Sequence, residues 1–245
     1  MRRQKETVQS DSSKEWEKLG TEIHVWHAAL DRDERDLARL QSTLSADEKA
    51  RADRFRFAKD KNHYTVARGL LRELLGKYLQ EAPVSLEFSY GPHGKPALAG
   101  KNASNGISFN LSHSFGLAVY AFAKERNLGI DVERVQAESA GDDIARRFFS
   151  PREVSDLRAL PAEARTEAFF LCWTRKEAYI KALGTGLYTP LDGFSLSLRP
   201  GQSAEFLAGV DSRWHIAAFQ PAEGYTAALV YDGANDPVKY LDLRT

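Results

Sequence analysis

Two carboxylates, Asp131 and Glu133, stand two positions apart in the segment GIDVERV, next to the apolar residues Ile130 and Val132. Alternate side chains of a β-strand share a face, so the apolar pair would point into a core and the two acids would point out together. The Cα atoms of the acids would lie about 6.6 Å apart, and both carboxylates could then reach one hard cation such as Mg²⁺. A solvated edge strand is the alternative, and this segment alone favours it.

A third acid, Glu177, occurs in the segment WTRKEAYIKALGTGL, which has the pattern of a helix. Trp173, Glu177 and Lys181 recur at intervals of four residues and share one helix face, with Lys176 beside them. This face could supply a third metal ligand and two lysines for phosphate groups. A surface ion pair between Glu177 and Lys181, worth about 0.3 to 0.5 kcal/mol, is the simpler explanation of the helix in isolation.

Two further segments have residues that could bind an anion. YGPHGKPAL combines turn-forming Gly and Pro residues with Lys95, as backbone anion sites do, although a plain hairpin turn has the same composition. FNLSHS ends a predicted strand with Asn110, Ser112 and His113, whose side chains could hydrogen-bond a phosphate or a ribose. No catalytic triad can be assembled from this segment.

Hydrophobic periodicity predicts the elements that would position these residues. Residues 45–79 predict two helices with a break at 57–60, and residues 141–183 predict a second helical block, broken at 150–153 and near Pro161. Strands are predicted around these blocks at EIHVWHAAL, LEFSYGPHGKPAL, ISFNLSHS, GLAVYAFAK, LGIDVERV, GFSLSL, WHIAAF and YTAALVY.

The order strand, helices, strands occurs twice along the chain. We therefore expect an α+β fold with two similar halves, each a small, mostly antiparallel sheet packed with helices. The halves would comprise residues 21–124 and 125–232, the second carrying the acids, with flexible tails at 1–20 and 233–245. The sequence contains no letter-by-letter repeat, so the expected similarity is architectural.

Composition excludes several classes of protein. The 245 residues include 34 basic and 34 acidic ones, a balance that gives no overall field toward nucleic acid or membrane. No run approaches the roughly 18 apolar residues of a membrane span. The one cysteine, Cys172, excludes an internal disulfide and a cysteine-based zinc site, so we expect a cytoplasmic protein.

Five ordered motifs together resemble the longer, Sfp-like class of 4′-phosphopantetheinyl transferases: YGPHGKPAL, FNLSHS, GIDVERV, RRFFSPREVSDL and FFLCWTRKEAYIKALGTGL. The resemblance covers residues 21–232. It implies two halves related by a pseudo-twofold axis, with coenzyme A in the cleft between them. The implied activity moves the phosphopantetheine arm of coenzyme A onto a serine of an apo acyl or peptidyl carrier protein and releases 3′,5′-ADP. The longer class also implies a monomer, because the short class assembles as trimers.

The resemblance implies a role for each matching residue. Asp131, Glu133 and Glu177 match the carboxylates that bind Mg²⁺, or Mn²⁺ in its place. Asp131, Lys176 and Glu177 would be catalytic, with Glu177 accepting the serine proton and Lys176 offsetting charge on the leaving nucleotide. The matches to coenzyme A-binding positions are Arg51, Lys95, Pro96, Asn110, Ser112, His113, Lys176 and Lys181.

Other matches are weaker or depart from the family pattern. Arg68 matches a position that varies among members, and Glu153 matches an acid near the site without an assigned role. At Glu48 some relatives carry a lysine for the 3′-phosphate. That contact is therefore missing here or is supplied by Lys49 or Arg51.

Two other functions stay open. A metal-dependent nuclease uses similar acids, but Arg134 follows DVE where that class has a spaced lysine, and a net charge of zero provides no DNA channel. A non-catalytic module that binds coenzyme A or a carrier protein is the other alternative. Acidic helices of a carrier are expected to meet basic residues on the second helical block, namely Arg146, Arg147, Arg152 and Arg158. The sequence does not specify a fatty-acid, polyketide, non-ribosomal peptide or lysine-pathway carrier.

Overall fold

The computed structural model describes residues 19–137 and 141–243. Over these residues the chain forms the strands β1 (Ile23–Ala29), β2 (Phe88–Tyr90), β3 (Pro96–Leu98), β4 (Ile107–Ser114), β5 (Leu117–Lys124), β6 (Leu128–Arg134), β7 (Ser195–Leu196), β8 (Phe206–Ala208), β9 (Trp214–Phe219), β10 (Tyr225–Asp232) and β11 (Val238–Asp242). The helices are α1 (Glu34–Thr43), α2 (Ala46–Ala52), α3 (Ala58–Leu79), α4 (Asp142–Phe148), α5 (Pro151–Arg158) and α6 (Ala162–Leu183). The predicted α+β class is confirmed. Residues 1–18 of the predicted N-terminal tail lie outside the described residues.

Two small sheets form the centre of the molecule. The first has the strand order β11-β1-β5-β4 and the second β6-β10-β9. Their apolar faces pack together in one cluster that contains Val25 and Val119 from the first sheet and Ile130, Val132 and Leu229 from the second. The prediction that Ile130 and Val132 point into a core is confirmed, and the acids between them face the other way.

Helices cover the outer faces of both sheets. Helix α3 packs its leucines against β1, β4 and β5, and α6 packs against β10. Among the described residues, no helix is long and apolar enough to cross a membrane.

Three elements were not predicted, namely the helix α1 and the strands β8 and β11. Helix α1 begins at Asp33, whose carboxylate accepts a hydrogen bond from Asp36 N at 2.8 Å, and Leu40 is its buried anchor. The segment after Gly233 was expected to be a tail, but β11 pairs in parallel with β1. The ring of Tyr240 also packs on Phe219, with 4.8 Å between centroids. This expectation is corrected: a five-residue edge strand with one partner has too little burial to leave a clear periodic signal.

Helix α6 crosses β6 at a distance that only glycine permits. A Cβ atom placed on Gly129 would lie 2.2 Å from both Ala178 O and Ala182 N, which are backbone atoms of α6. The glycine of GIDVERV therefore allows the helix to approach the strand that carries Asp131 and Glu133.

Replacing Gly129 by Ala should lower the free energy of unfolding by about 1 to 3 kcal/mol, because the helix or the strand must shift to accommodate the methyl group. Urea unfolding monitored by circular dichroism measures this change. Gly20→Ala is the matched control, since a Cβ atom there meets nothing within 4 Å. Equal stabilities of the two variants would contradict the close approach.

Candidate functional site

The candidate site lies where the two sheets meet. Strand β4 ends the first sheet and β6 ends the second, so these neighbouring edges are not joined by a backbone ladder. Alternate side chains of β4 bridge the gap instead, which explains the spacing of the NLSHS motif. The bonds run from Ile130 N to Asn110 Oδ1 at 2.9 Å, from Ser112 Oγ to Asp131 Oδ1 at 2.8 Å, and from Ser114 Oγ to Glu133 Oε2 at 2.7 Å.

Asp131 is the most buried acid of the site, with 3% of its surface exposed. Its Oδ1 atom accepts hydrogen bonds from Ser112 and from Lys181 Nζ, the latter at 2.6 Å. Its Oδ2 atom is also buried, and it has no hydrogen-bond partner among the described residues. An unpaired carboxylate oxygen in a protein interior is costly, so this atom is suited to a cation or a donor from a ligand.

The three predicted carboxylates come together. Burial raises the pKa of Glu177 to about 7, and the charges of Asp131 and Glu133 add to the rise while Lys181 opposes it. Burial and the charge of Asp131 also raise the pKa of Glu133. As the side chains stand, no three Asp, Glu, His or Cys residues of the described ranges are arranged to hold one metal ion.

The pKa of Glu177 makes a prediction for stability in the absence of metal. The folded state keeps the Glu177 carboxyl group protonated up to about pH 7, above its ordinary pKa of 4.5. Ionisation of this buried group therefore lowers the stability of the wild type progressively between about pH 4.5 and pH 7. Glu177→Gln should therefore exceed the wild type in stability by about 1 to 3 kcal/mol at pH 8, and by much less at pH 4. Thermal unfolding in EDTA at both pH values measures the difference, and a pH-independent difference would contradict the raised pKa.

Lys95 does not extend a free ammonium group toward solvent. Its Nζ atom donates to the carbonyl oxygens of Leu128 at 2.8 Å, Lys181 at 2.7 Å and Ala182 at 3.3 Å. Burial lowers the pKa of Lys95 to about 8. The lysine of the hairpin loop thus caps the end of α6 and holds it to β6, which differs from the predicted direct contact with the nucleotide.

A cavity of about 210 Å³ lies beside this lysine. Its lining includes Lys95, Pro96, Asn110 and Lys181, four of the predicted coenzyme A-binding residues. His93 also lines it, and the His93 ring packs against Tyr188, with 4.6 Å between centroids. The cavity therefore adjoins the carboxylate cluster through Lys181.

Lys176 lies away from the carboxylate cluster. Its ammonium is fully buried, 2.8 Å from Glu153 Oε2, and it donates to Leu191 O at 2.6 Å and Phe194 O at 2.9 Å. The Lys176 ammonium is thus held by protein groups in this arrangement, and its contact with the leaving nucleotide stays a prediction. Because Lys176 precedes Glu177 by one residue, its side chain lies about 100° away around the helix. Helix α5 and the 191–194 turn cover that side of α6.

Glu153, whose role was open, is now explained by its contacts. Its carboxylate accepts hydrogen bonds from Ser150 N at 2.7 Å and Leu196 N at 2.8 Å as well as pairing with Lys176. It closes the capping box of α5 and joins that helix to β7 and α6. Ser114 is a residue whose contribution to the site the motifs did not reveal, although it continues the alternation of Asn110 and Ser112.

The basic residues of α2 and α3 include some that pair with the buried acid Glu48 and others that stay exposed. Glu48 is 1% exposed and accepts hydrogen bonds from the guanidinium groups of Arg68 and Arg72. Burial would raise the pKa of Glu48, but the two arginines lower it. This carboxylate stands where some relatives have lysine, and it forms an ion pair with Arg68. Arg51 stays exposed, with its guanidinium 5.6 Å from the Tyr64 ring centroid.

His113 remains exposed at the end of β4. Desolvation by the surrounding protein and the charges of Lys181 and His63 lower its pKa, although the side chain keeps contact with solvent. His113 therefore lies within electrostatic reach of Lys181. Arg51 and His113 are the exposed members of the predicted coenzyme A-binding set, while Asn110 and Ser112 hold β6 in place.

Comparisons with known proteins identify relatives along most of the chain. Residues 127–230 match a family model described as the 4′-phosphopantetheinyl transferase superfamily, and residues 26–125 match one described as 4′-phosphopantetheinyl transferase, N-terminal. The chain is 40% identical over 215 residues to the 4′-phosphopantetheinyl transferase HetI of Nostoc sp., which covers 88% of this chain and 90% of HetI. It is 32% identical over 192 residues to the 4′-phosphopantetheinyl transferase Sfp of Bacillus subtilis, which covers 78% of this chain and 83% of Sfp. The crystal structure of Thermotoga maritima holo-[acyl-carrier-protein] synthase aligns with a TM-score of 0.36 and 24% identity over 44% of this chain and 64% of that chain.

Proposed function

The chain belongs to the 4′-phosphopantetheinyl transferase superfamily, and from that premise we propose how its site works. The carboxylate cluster transfers the phosphopantetheine arm of coenzyme A to a serine of an apo carrier protein, with Mg²⁺ as the metal and 3′,5′-ADP as the product. The observation that carries this proposal is the convergence of Asp131, Glu133 and Glu177 beside Lys181, with one buried Asp131 oxygen that has no hydrogen-bond partner in the part of the chain that the structure describes.

The donor set suits Mg²⁺, or Mn²⁺ in its place, because it consists of carboxylate oxygens alone. Asp131, Glu133 and Glu177 would hold the ion. The raised pKa values of Glu133 and Glu177 support this assignment, since a cation would relieve the repulsion between the three acids. When bound, the ion supplies Lewis-acid stabilisation of charge on the transferred phosphoryl group.

The residues of the chain position the reactants and move one proton. The serine Oγ forms a bond to the β-phosphorus of coenzyme A, and the bond from that phosphorus to the oxygen bridging the two phosphates breaks. Glu177 accepts the serine proton, because a carboxylate of the cluster is the nearest group able to take it. Lys181 offsets charge on the diphosphate from its position beside Asp131.

Replacing Glu177 by Gln should leave coenzyme A affinity nearly unchanged and lower single-turnover transfer by roughly 10²-fold, because the amide cannot accept the proton. Isothermal titration with coenzyme A and rapid-quench transfer assays give the two numbers. Wild-type single-turnover rates in this variant would exclude Glu177 as the base.

The cavity lined by Lys95, Pro96 and Lys181 supports our proposal that the nucleotide half of coenzyme A binds there. Arg51 and His113 are the exposed basic residues available for the 3′-phosphate. We expect the carrier protein to dock against the exposed arginines of α4 and α5, which suit an acidic helix: Arg146, Arg147, Arg152 and Arg158. One chain supplies all of these residues, so a monomer is sufficient for activity.

A direct assay tests the function. The protein is incubated with coenzyme A, Mg²⁺ and a panel of apo carrier proteins, and each carrier is then weighed by mass spectrometry. We expect a mass increase of one phosphopantetheine group on at least one carrier and its loss when EDTA is added. Cleavage of DNA by the same preparation would indicate a nuclease, and neither activity would indicate a binding module.

A further inference from the structure

The two-residue turn between β4 and β5 lies directly beside the carboxylate cluster. The ladder of these strands closes with Ser114 opposite Leu117. The turn therefore consists of Phe115 and Gly116 alone. Ser114 Oγ donates to Glu133 Oε2 at 2.7 Å, and the Cα atoms of Ser114 and Phe115 are about 3.8 Å apart. Phe115 thus directly follows a side chain that holds a candidate metal ligand.

Phe115 adopts a backbone conformation that a bulky side chain disfavours. Its φ angle is +44° and that of Gly116 is +88°, as in a type I′ hairpin turn. Such turns favour Asn or Asp before Gly, because a larger side chain crowds the backbone at positive φ. Burial does not offset this strain, since the Phe115 ring is 62% exposed and lies outside the buried apolar clusters of the described residues. A strained, exposed aromatic residue beside a reactive site indicates a function other than folding.

Contacts from both sheets fix this turn in place. From the second sheet, Tyr225 Oη donates to Phe115 O at 2.8 Å. From the end of β1 in the first sheet, Leu30 N donates to Gly116 O at 2.7 Å. The exposed guanidinium group of Arg134 lies 5.6 Å from the centroid of the Phe115 ring. Because this Phe115–Arg134 pair is already ordered, it loses little conformational freedom when a partner covers it, as is typical of the residues that dominate an interface.

The position of the Phe115–Arg134 pair points to the protein substrate. An acceptor serine on a folded protein must reach the carboxylates, and the protein surface around that serine then covers the enzyme surface around the site. An interface of about 800 Å² per partner is equivalent to a disc with a radius of about 16 Å. Each residue of the pair adjoins, in the chain, one residue of the hydrogen bond between Ser114 and Glu133. Both therefore lie well inside that radius.

We propose that Phe115 and Arg134 contact the carrier protein next to its acceptor serine and determine which carriers are modified. The inference rests on the proposed function, in which that serine comes to the carboxylate cluster. The Phe115 ring packs on an apolar side chain of the carrier, and the Arg134 guanidinium pairs with an acid beside it. The pair thus fits a partner whose serine is bordered by an apolar patch with an acidic rim.

Phe115→Asn separates docking from folding, because it removes the ring and relieves the backbone strain at the same time. With an apo carrier that the unmodified protein modifies, we expect the KM for the carrier to rise about tenfold. The kcat and the Kd of coenzyme A should stay unchanged, as measured by steady-state kinetics and isothermal titration. The melting temperature should rise by about 2 to 4 °C in differential scanning calorimetry, because Asn tolerates positive φ.

Two further variants divide the contact into its parts. Phe115→Tyr keeps the aromatic ring and should keep the wild-type KM. Arg134→Gln should raise the KM by a smaller factor, and this factor should shrink with added salt. Gln80→Asn is the matched control, since Gln80 is exposed and has a φ of +54° at the end of α3. It should also raise the melting temperature but leave the KM for the carrier unchanged.

An unchanged KM for the carrier in Phe115→Asn would overturn the proposal. A higher Kd for coenzyme A would also overturn it, and would assign the turn to coenzyme A instead. A lower melting temperature of this variant would overturn it as well, because the ring would then serve the stability of the fold. These results are separable from failure of the proposed function, which would appear as absence of transfer by the unmodified protein with every carrier tested.

Discussion

Replacing Asp131 by Asn should lower the rate of phosphopantetheine transfer by roughly 10³-fold. The asparagine amide has nearly the shape of the carboxylate but no charge. It also has an NH₂ group in place of one of the two carboxylate oxygens. A metal ion would then lose a ligand at the most buried acid of the site, and stabilisation of the transition-state charge would fall by an amount typical of a lost electrostatic contact. The mass increase of an apo carrier, followed over time at saturating Mg²⁺, measures this rate.

A control variant at an exposed acid separates the loss of Asp131 from the general effect of removing one negative charge. Asp143→Asn removes the same charge at a side chain that is 96% exposed on α4, and it should leave transfer unchanged. Mn²⁺ binding measured by electron paramagnetic resonance gives a readout independent of turnover, and Asp131→Asn should weaken it. Wild-type transfer by Asp131→Asn would reject the assignment of this residue to the metal.

The buried pair of Lys176 and Glu153 is expected to have the largest effect on stability. Lys176→Met should lower the free energy of unfolding by about 3 to 5 kcal/mol, because the Glu153 carboxylate would remain buried without its counter-charge. The double variant Lys176→Met, Glu153→Gln should recover part of this loss, since both charges are then absent. Urea unfolding of the two single variants and the double variant forms a double-mutant cycle that measures the coupling.

The control for this cycle is an exposed lysine with an acidic partner. Lys101 is 70% exposed beside Glu81, and Lys101→Met should change stability by less than about 1 kcal/mol. Additive effects in the cycle would contradict the pairing. If Lys176→Met kept wild-type stability and lost coenzyme A binding, the prediction of a substrate contact would be supported.

Local patterns were sufficient to predict most of the elements. The strand that holds Asp131 and Glu133, the helix that holds Glu177, and the break near Pro161 all appear in the structure, whereas the break predicted at 150–153 lies at residues 149–150. They were predictable because strand alternation, helix periodicity and helix ends depend on neighbouring residues. Helix α1 and the strands β8 and β11 were missed because a short element with few buried residues leaves little periodic signal.

The sequence by itself determined that Asp131 and Glu133 share one face of a strand and that Glu177 and Lys181 share one face of a helix. It could do so because side chains alternate in a strand and recur about every 3.6 residues in a helix. Tertiary structure decided how the remaining polar residues are used. Lys176 could have faced either the substrate or the core, and the packing of α5 against α6 placed it on Glu153. Lys95 and Ser112 could have bound a nucleotide, yet the meeting of the two sheets put them on the end of α6 and on Asp131. The physical reason is that the partner of a buried polar group lies on another element, often many residues away, and only packing selects it.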